Sequence, residues 1–167
     1  KVAFIGICGN DVFGRFMLDE MSKRGVDIGN VVVRQNEPTG LSVILNQLSD
    51  RAILTHSGLI AELQASDIPD DLLCKASHLH VASYFLQTKL QPDLSALFKR
   101  AQSFGLTTSL DTNYDPSEKW TSFDELFAVT NVFLPNEAEA KSLTGAENVA
   151  EAANRLGSKV EALAIKM

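Results

Sequence analysis

The feature that most constrains this chain is an alternation. Short, nearly unbroken apolar runs that suit strands are followed by stretches whose apolar residues recur at helical spacing. Val2 to Ile7 is such a run, as expected of a strand covered on both faces. From Val12 to Arg24, Phe13, Phe16, Met17 and Met21 form a helical stripe, with Asn10 or Asp11 as its cap and Gly25 beyond its end. Pro92 opens a second helical segment carrying Leu94, Leu97, Phe98 and Ala101, and Gly105 closes it. Further strand-like runs stand at Leu79–Ala82, Leu106–Leu110 and Asn131–Leu134, and short helices are expected from Asn136 to Gly145 and from Asn148 to Gly157. Strands and helices in this order predict an α/β chain with a parallel sheet. Lys1–Gly6 and Val160–Met167 both read as strands, whereas domains usually begin and end in polar, exposed segments, so a piece of a longer chain is expected.

One stretch breaks the alternation. Val31–Arg34, a polar turn through Pro38-Thr39-Gly40, Leu41–Asn46 and Arg51–His56 follow too closely for parallel crossovers. An antiparallel flap is expected there, with lid strands over about residues 29–46. Composition limits the rest. Lys and Arg number 15 against 21 Asp and Glu, leaving −6, a balance that argues against a general nucleic-acid or membrane-surface binder. No apolar run approaches the roughly 20 residues of a spanning helix. Cys8 and Cys74 lack disulfide or zinc-ligand spacing, which makes a reducing cytoplasm the expected compartment. The sequence contains no GxGxxG, P-loop or GxSxG segment. His78 and His80 face one side of a strand without a third nearby ligand, a pattern that suits packing or surface.

Ligands of open α/β sheets bind outside the carboxyl ends of the strands. Four predicted strands discharge there into polar side chains: Asn10 and Asp11; Ser83 and Tyr84; Asp111 and Asn113; Asn136 and Glu139. Oxygen-only sets suit hard cations such as Mg²⁺ partnered with phosphates. Asn136 and Glu139, three apart, project to one side of a helix first turn. Two readings of that pair stay open: a metal–phosphate site, or a capping box with asparagine as its first member.

The motifs together resemble the PfkB/ribokinase family of carbohydrate and nucleoside kinases, collinearly along essentially the whole chain. Gly9-Asn10-Asp11-Val12-Phe13-Gly14 is similar to the family's "vGxDxxG" segment, Gly25-Val26-Asp27 to its "GV-d" turn, and Pro38-Thr39-Gly40 to its "pTG" lid strand. His80–Leu86 resembles the strand lining the sugar pocket. Asp111-Thr112-Asn113-Tyr114-Asp115 with Trp120 is similar to D-x-N-x-R…W, and Pro135–Ala140 with Leu143-Thr144-Gly145 to N-x-x-E followed by "ltG".

The resemblance implies a three-layer α/β/α ribokinase-like (Rossmann-like) fold with a small antiparallel β lid, incomplete here. It implies transfer of the ATP γ-phosphate to a hydroxyl of a small sugar or sugar-like molecule, with ATP and Mg²⁺ required. Asn136 and Glu139 would organise Mg²⁺, water and triphosphate, with Asp111 and Asn113 at the phosphate side. Ser83, Tyr84, Thr39, Gly40, Asn10 and Asp11 are the implied substrate-side residues. Lid strands invite pairing with a second copy, so a homodimer is expected. Asp115 departs from the family pattern by standing where many members carry Arg, so a cation for the phosphates has to come from elsewhere. The family's Gly-Gly-x-x-x-Asn segment and its Gly-Ala-Gly-Asp catalytic motif are not in this sequence. The chain by itself is therefore expected to be inactive. A non-catalytic binding or regulatory domain on the same fold is the alternative, and a dinucleotide-binding half of an oxidoreductase is disfavoured by the missing GxGxxG.

Overall fold

Strand and helix alternate as the apolar periodicity predicts, in a computed structural model that describes residues 1–47, 50–121 and 123–167. These divide into two units, Lys1–Leu63 and Gln64–Met167.

In the first unit, β1 (Ala3–Gly9) leads through α1 (Val12–Lys23) to β2 (Asp27–Arg34), and the two strands pair in parallel. Asp11 is the helix cap, its carboxylate accepting from Gly14 N at 2.8 Å. The stripe on α1 is less covered than its spacing implies: Phe13 and Phe16 are exposed, Met17 and Met21 half-buried. β3 (Leu41–Gln47) and β4 (Asp50–His56) then form an antiparallel hairpin with Leu41 opposite His56 and Ile44 opposite Ile53. The expected flap is thus corrected at its front. Val31 and Val32 pair in parallel with Gly6 and Ile7 rather than joining the hairpin. The reason is upstream: α1 already provides the dozen-residue crossover that a parallel strand needs. Residues 29–34 consequently belong to β2, and only the 41–46 part of the expected lid range lies in the hairpin.

The second unit carries α2 (Asp70–Leu73), β5 (His78–Ala82), α3 (Leu94–Ser103), β6 (Thr107–Asp111), α4 (Asp124–Phe127), β7 (Val132–Phe133), α5 (Glu137–Thr144), α6 (Val149–Gly157) and β8 (Ala162–Leu163). Its strands form one parallel sheet in the order β5-β6-β7-β8. Alternation on β5 is clean, with Leu79 and Val81 buried and His78 and His80 exposed. Leu94, Leu97, Phe98 and Ala101 of α3 are buried along with Leu110 and Phe133, so the helical stripe read from the sequence is a core face. Full burial of each large apolar side chain contributes about 1.5–3 kcal/mol. Arg100 ties this core to the segment before α2 by donating to the carbonyls of Ala65 (3.0 Å) and Ile68 (2.6 Å). Gly25, Gly105 and Gly145 all take positive φ just past a helix, where a side chain would be strained. The parallel order brings the carboxyl ends of β5, β6 and β7 side by side.

Candidate functional site at the carboxyl ends of the second sheet

The chain leaves β5 and β6 through two non-glycine residues in the left-handed region, Ser83 (φ 58°) and Asn113 (φ 55°). Asn113 Nδ2 donates to Ser83 Oγ at 2.8 Å, so the two turns are held together. Left-handed conformations at such residues persist only where their surroundings over-determine them, and they cluster at functional sites. The loop after Asn113 is anchored by Asp115, which is buried and accepts from Ser117 N (2.9 Å), Ser117 Oγ (2.8 Å) and Trp120 N (2.9 Å). Burial opposes ionisation of Asp115, and these hydrogen bonds outweigh it, holding the carboxyl below its ordinary range. Asp115 is therefore a loop anchor. Tyr84, Phe85, Trp120 and Phe123 pack against one another with ring centroids 5.0–6.2 Å apart in the contacting pairs.

After β7 the chain turns at Pro135 into α5, which opens on the Asn136–Glu139 pair. The capping box is present: Asn136 Oδ1 accepts from Glu139 N at 2.8 Å, and Glu139 Oε2 accepts from Asn136 N at 2.9 Å. Glu139 Oε1 also accepts from Asn136 Nδ2 at 2.7 Å. A capping box does not require burial, yet Glu139 is only 3% exposed. Desolvation raises its pKa, while the Asn136 N–H and the charge of Lys166 pull it down and Asp111 pushes it up. The carboxylate keeps lone-pair capacity beyond the two bonds it accepts. Among the described residues no three His, Cys, Asp or Glu side chains converge to hold a metal directly. The donor set fits a Mg²⁺ ion reached through water, the mode in which that ion keeps part of its hydration shell.

Lys166, which the sequence reading did not single out, completes the cluster. It lies past β8 in an isolated parallel bridge with Asn136. Its N–H donates to Pro135 O (2.9 Å), and its carbonyl accepts from Glu137 N (3.1 Å). Its ammonium meets Asp111 Oδ2 at 2.6 Å. The signal in the sequence was one cation closing an otherwise apolar terminal run, Ala162-Leu163-Ala164-Ile165-Lys166.

The remaining candidates lie in the first unit, where they build the β1–α1 turn. Asp11 accepts from Gly14 N, Thr39 N (2.7 Å) and Thr39 Oγ1 (2.8 Å), while Gly9 N donates to Thr39 Oγ1 at 2.9 Å. These bonds hold the Asp11 carboxyl down at about 2. Gly9 and Gly14 permit the close approach: a Cβ on Gly9 would strike the Glu37 carbonyl, and one on Gly14 would strike the carbonyl of Gly9. Asn10 donates to Gln35 and accepts from Arg15. Gly40 is half-buried beside Ile60.

A second polar group joins the exposed histidines of β5 to β6, where Ser109 is buried. Ser109 Oγ lies 2.7 Å from both His78 Nε2 and His80 Nδ1, and His78 Nδ1 lies 2.7 Å from Thr107 Oγ1. Burial lowers the His80 pKa, opposed by Asp111. The pair is satisfied by hydroxyls, in keeping with packing or surface. A shallow cavity of about 370 Å³ lined by Phe127, Thr144, Arg155 and Lys159 lies at the C-terminal end of α5, opposite Asn136.

Comparison with known proteins joins these observations to a family. The pfkB family carbohydrate kinase profile matches residues 1–167. A 2-dehydro-3-deoxygluconokinase of Bacillus subtilis (strain 168) is 30% identical over 164 residues, covering 87% of this chain and 48% of its own length. A ribokinase of Haemophilus influenzae is 28% identical over 149 residues, covering 88% and 46%. The chain thus spans about half the length of these curated relatives. A crystal structure of fructokinase with bound ATP from Xylella fastidiosa matches 99% of this chain and 56% of that one, with a TM-score of 0.77 at 20% identity. The fold is ribokinase-like α/β. With its fold and the profile match over residues 1–167 in agreement, the chain belongs to the PfkB family of carbohydrate kinases.

Proposed function

We propose that the full-length protein carrying this chain transfers the γ-phosphate of ATP to a hydroxyl of a small sugar or sugar-like molecule in the cytoplasm. The observation that carries this reading is the buried Glu139 carboxyl, bonded to Asn136 beside the Lys166–Asp111 pair at the carboxyl ends of β6 and β7. In this reading Asn136 and Glu139 orient water around Mg²⁺, which neutralises phosphate charge when bound. Asp111 and Asn113 line the phosphate side. Ser83 and Tyr84 meet the acceptor sugar, and Thr39, Gly40, Asn10 and Asp11 serve the substrate side of the lid. The hydrogen bonds of Asp11 and Thr39 support an indirect part for these two, in which they fix the shape of the turn that presents their neighbours.

The general base that takes the acceptor proton is supplied by sequence outside residues 1–167, since no Gly-Ala-Gly-Asp segment occurs within them. The β3–β4 hairpin acts as the lid and as the contact between two copies. Its support is the exposure of Val43, Ile44, Leu45, Ile53 and Leu54.

An ADP-release assay on the full-length protein, run over pentoses, hexoses, keto-deoxy sugar acids and nucleosides, tests the reading. Sugar-dependent ADP release with Mg²⁺ is expected. ATP binding with no turnover on any acceptor would turn the assignment to a non-catalytic binding domain, and no ATP binding would remove it.

A further inference from the structure

Asp115, in the loop after β6, offers the site no free charge, because its oxygens are already taken by Ser117 and Trp120. A triphosphate still needs positive charge close to the carboxylates of Asp111 and Glu139. We infer that Lys166 is the phosphate-contacting cation of this site, a positioning and specificity residue for the nucleotide. This rests on the phosphotransfer reading proposed above.

Lys166 is fixed at both of its backbone groups to the segment that starts α5, through Pro135 O and Glu137 N. Its Cα is thereby tied to the same turn that positions Asn136. Its side chain is 49% exposed and its ammonium rests on Asp111, whose side chain is 20% exposed. A half-exposed ion pair of this kind contributes little to stability, so folding alone gives it little purpose. The geometry gives it another. Asp111 holds a half-exposed ammonium at the end of β6, on a residue bridged to Asn136 at the start of α5. An ammonium is a compact charge that suits phosphate oxygens. Its positive field also reaches Glu139, where it favours the ionised carboxylate against burial.

The test uses the full-length protein with Lys166→Met, Lys166→Arg and a control, Lys159→Met, whose ammonium pairs with Asp124 away from the strand ends. Affinities for MgATP, inorganic tripolyphosphate and adenosine are measured together with KM for ATP and for the sugar. Lys166→Met is expected to weaken MgATP and tripolyphosphate about tenfold or more while leaving adenosine and the sugar KM unchanged. Lys166→Arg should retain most of the affinity, and Lys159→Met all of it. Unchanged MgATP affinity in a wild-type background that phosphorylates sugar overturns the assignment of Lys166 and leaves the kinase reading standing. Equal weakening of adenosine and tripolyphosphate also overturns it, as a structural effect. A wild-type protein that binds neither ATP nor tripolyphosphate overturns both. Should Lys166→Met fold poorly, Lys166→Gln with a wild-type melting temperature gives the same comparison.

Discussion

Two helices of this chain open with the same four-residue pattern and end up in different chemistry. Asn136-Glu137-Ala138-Glu139 starts α5, and Asn148-Val149-Ala150-Glu151 starts α6. Each asparagine accepts from the backbone N–H of the glutamate three residues on, at 2.8 and 2.9 Å. There the likeness stops. Glu151 is half-exposed, paired with Arg155, and accepts from Glu147 N at 3.3 Å. Glu139 is buried, doubly bonded to Asn136, and lies in the field of Lys166 and Asp111. Burying a carboxyl is costly unless it is hydrogen-bonded, and an exposed one would cap a helix equally well. The motif sets the local bonds, and the tertiary position decides whether they serve more than the helix.

The comparison can be broken most decisively by glutamate removal in the full-length protein. Glu139→Ala should lower turnover about 10²-fold, the scale of losing a group that orients a metal's surroundings, whereas Glu151→Ala should leave it unchanged. Parallel losses in the ADP-release assay would reduce α5 to a capped helix. Next come the caps. Asn136→Ala and Asn148→Ala should each cost about 1 kcal/mol in urea unfolding, with only the former also lowering turnover.

The pH dependence sharpens the contrast between a half-buried and a buried carboxyl. Asp11, held at about 2 against an ordinary 3.8, contributes stability that is present above 3.8 and lost as pH falls towards 2. Glu139 has the opposite sign. Its raised pKa makes its contribution complete below 4.5 and lost as pH rises through the folded-state value. Melting temperatures followed across pH should show a flatter acid limb for Asp11→Asn, and for Glu139→Gln a smaller decline on the rising side. A Glu139→Gln profile parallel to wild type would contradict the burial argument. The smallest effect is expected at Ser83→Gly. Relief of the left-handed backbone offsets the lost hydroxyl, so stability should move by less than about 1 kcal/mol. A larger loss in thermal unfolding would mean that the Asn113–Ser83 bond holds more of the loop than the geometry suggests.

Much of this architecture was legible because periodicity and punctuation agree. The stripe on α3, the glycines after the helices and the Asn136 and Asn148 caps all stand where the sequence implied. The expected flap does not include Val31–Arg34, because an apolar run carries no mark of which neighbour it pairs with and the α1 crossover decides in favour of β1. At the site, polar residues after strands could be read directly. Three things could not be. The left-handed turns at Ser83 and Asn113 fall on residues without a glycine to announce them. The burial of Glu139 is set by packing, which its identical counterpart at Glu151 lacks. Lys166 becomes part of the cluster only through a bridge to Asn136, thirty residues away in the chain.

The most direct measurement is calorimetric titration of the full-length protein with ATP, in the presence and absence of Mg²⁺, for wild type, Glu139→Ala and Glu151→Ala. The expected result is ATP binding strengthened by Mg²⁺ in wild type and in Glu151→Ala, with that strengthening abolished in Glu139→Ala. An ATP affinity indifferent to Mg²⁺ in wild type, or a Mg²⁺ effect that survives Glu139→Ala intact, would contradict the assignment of the α5 start as the metal–phosphate end of a kinase site.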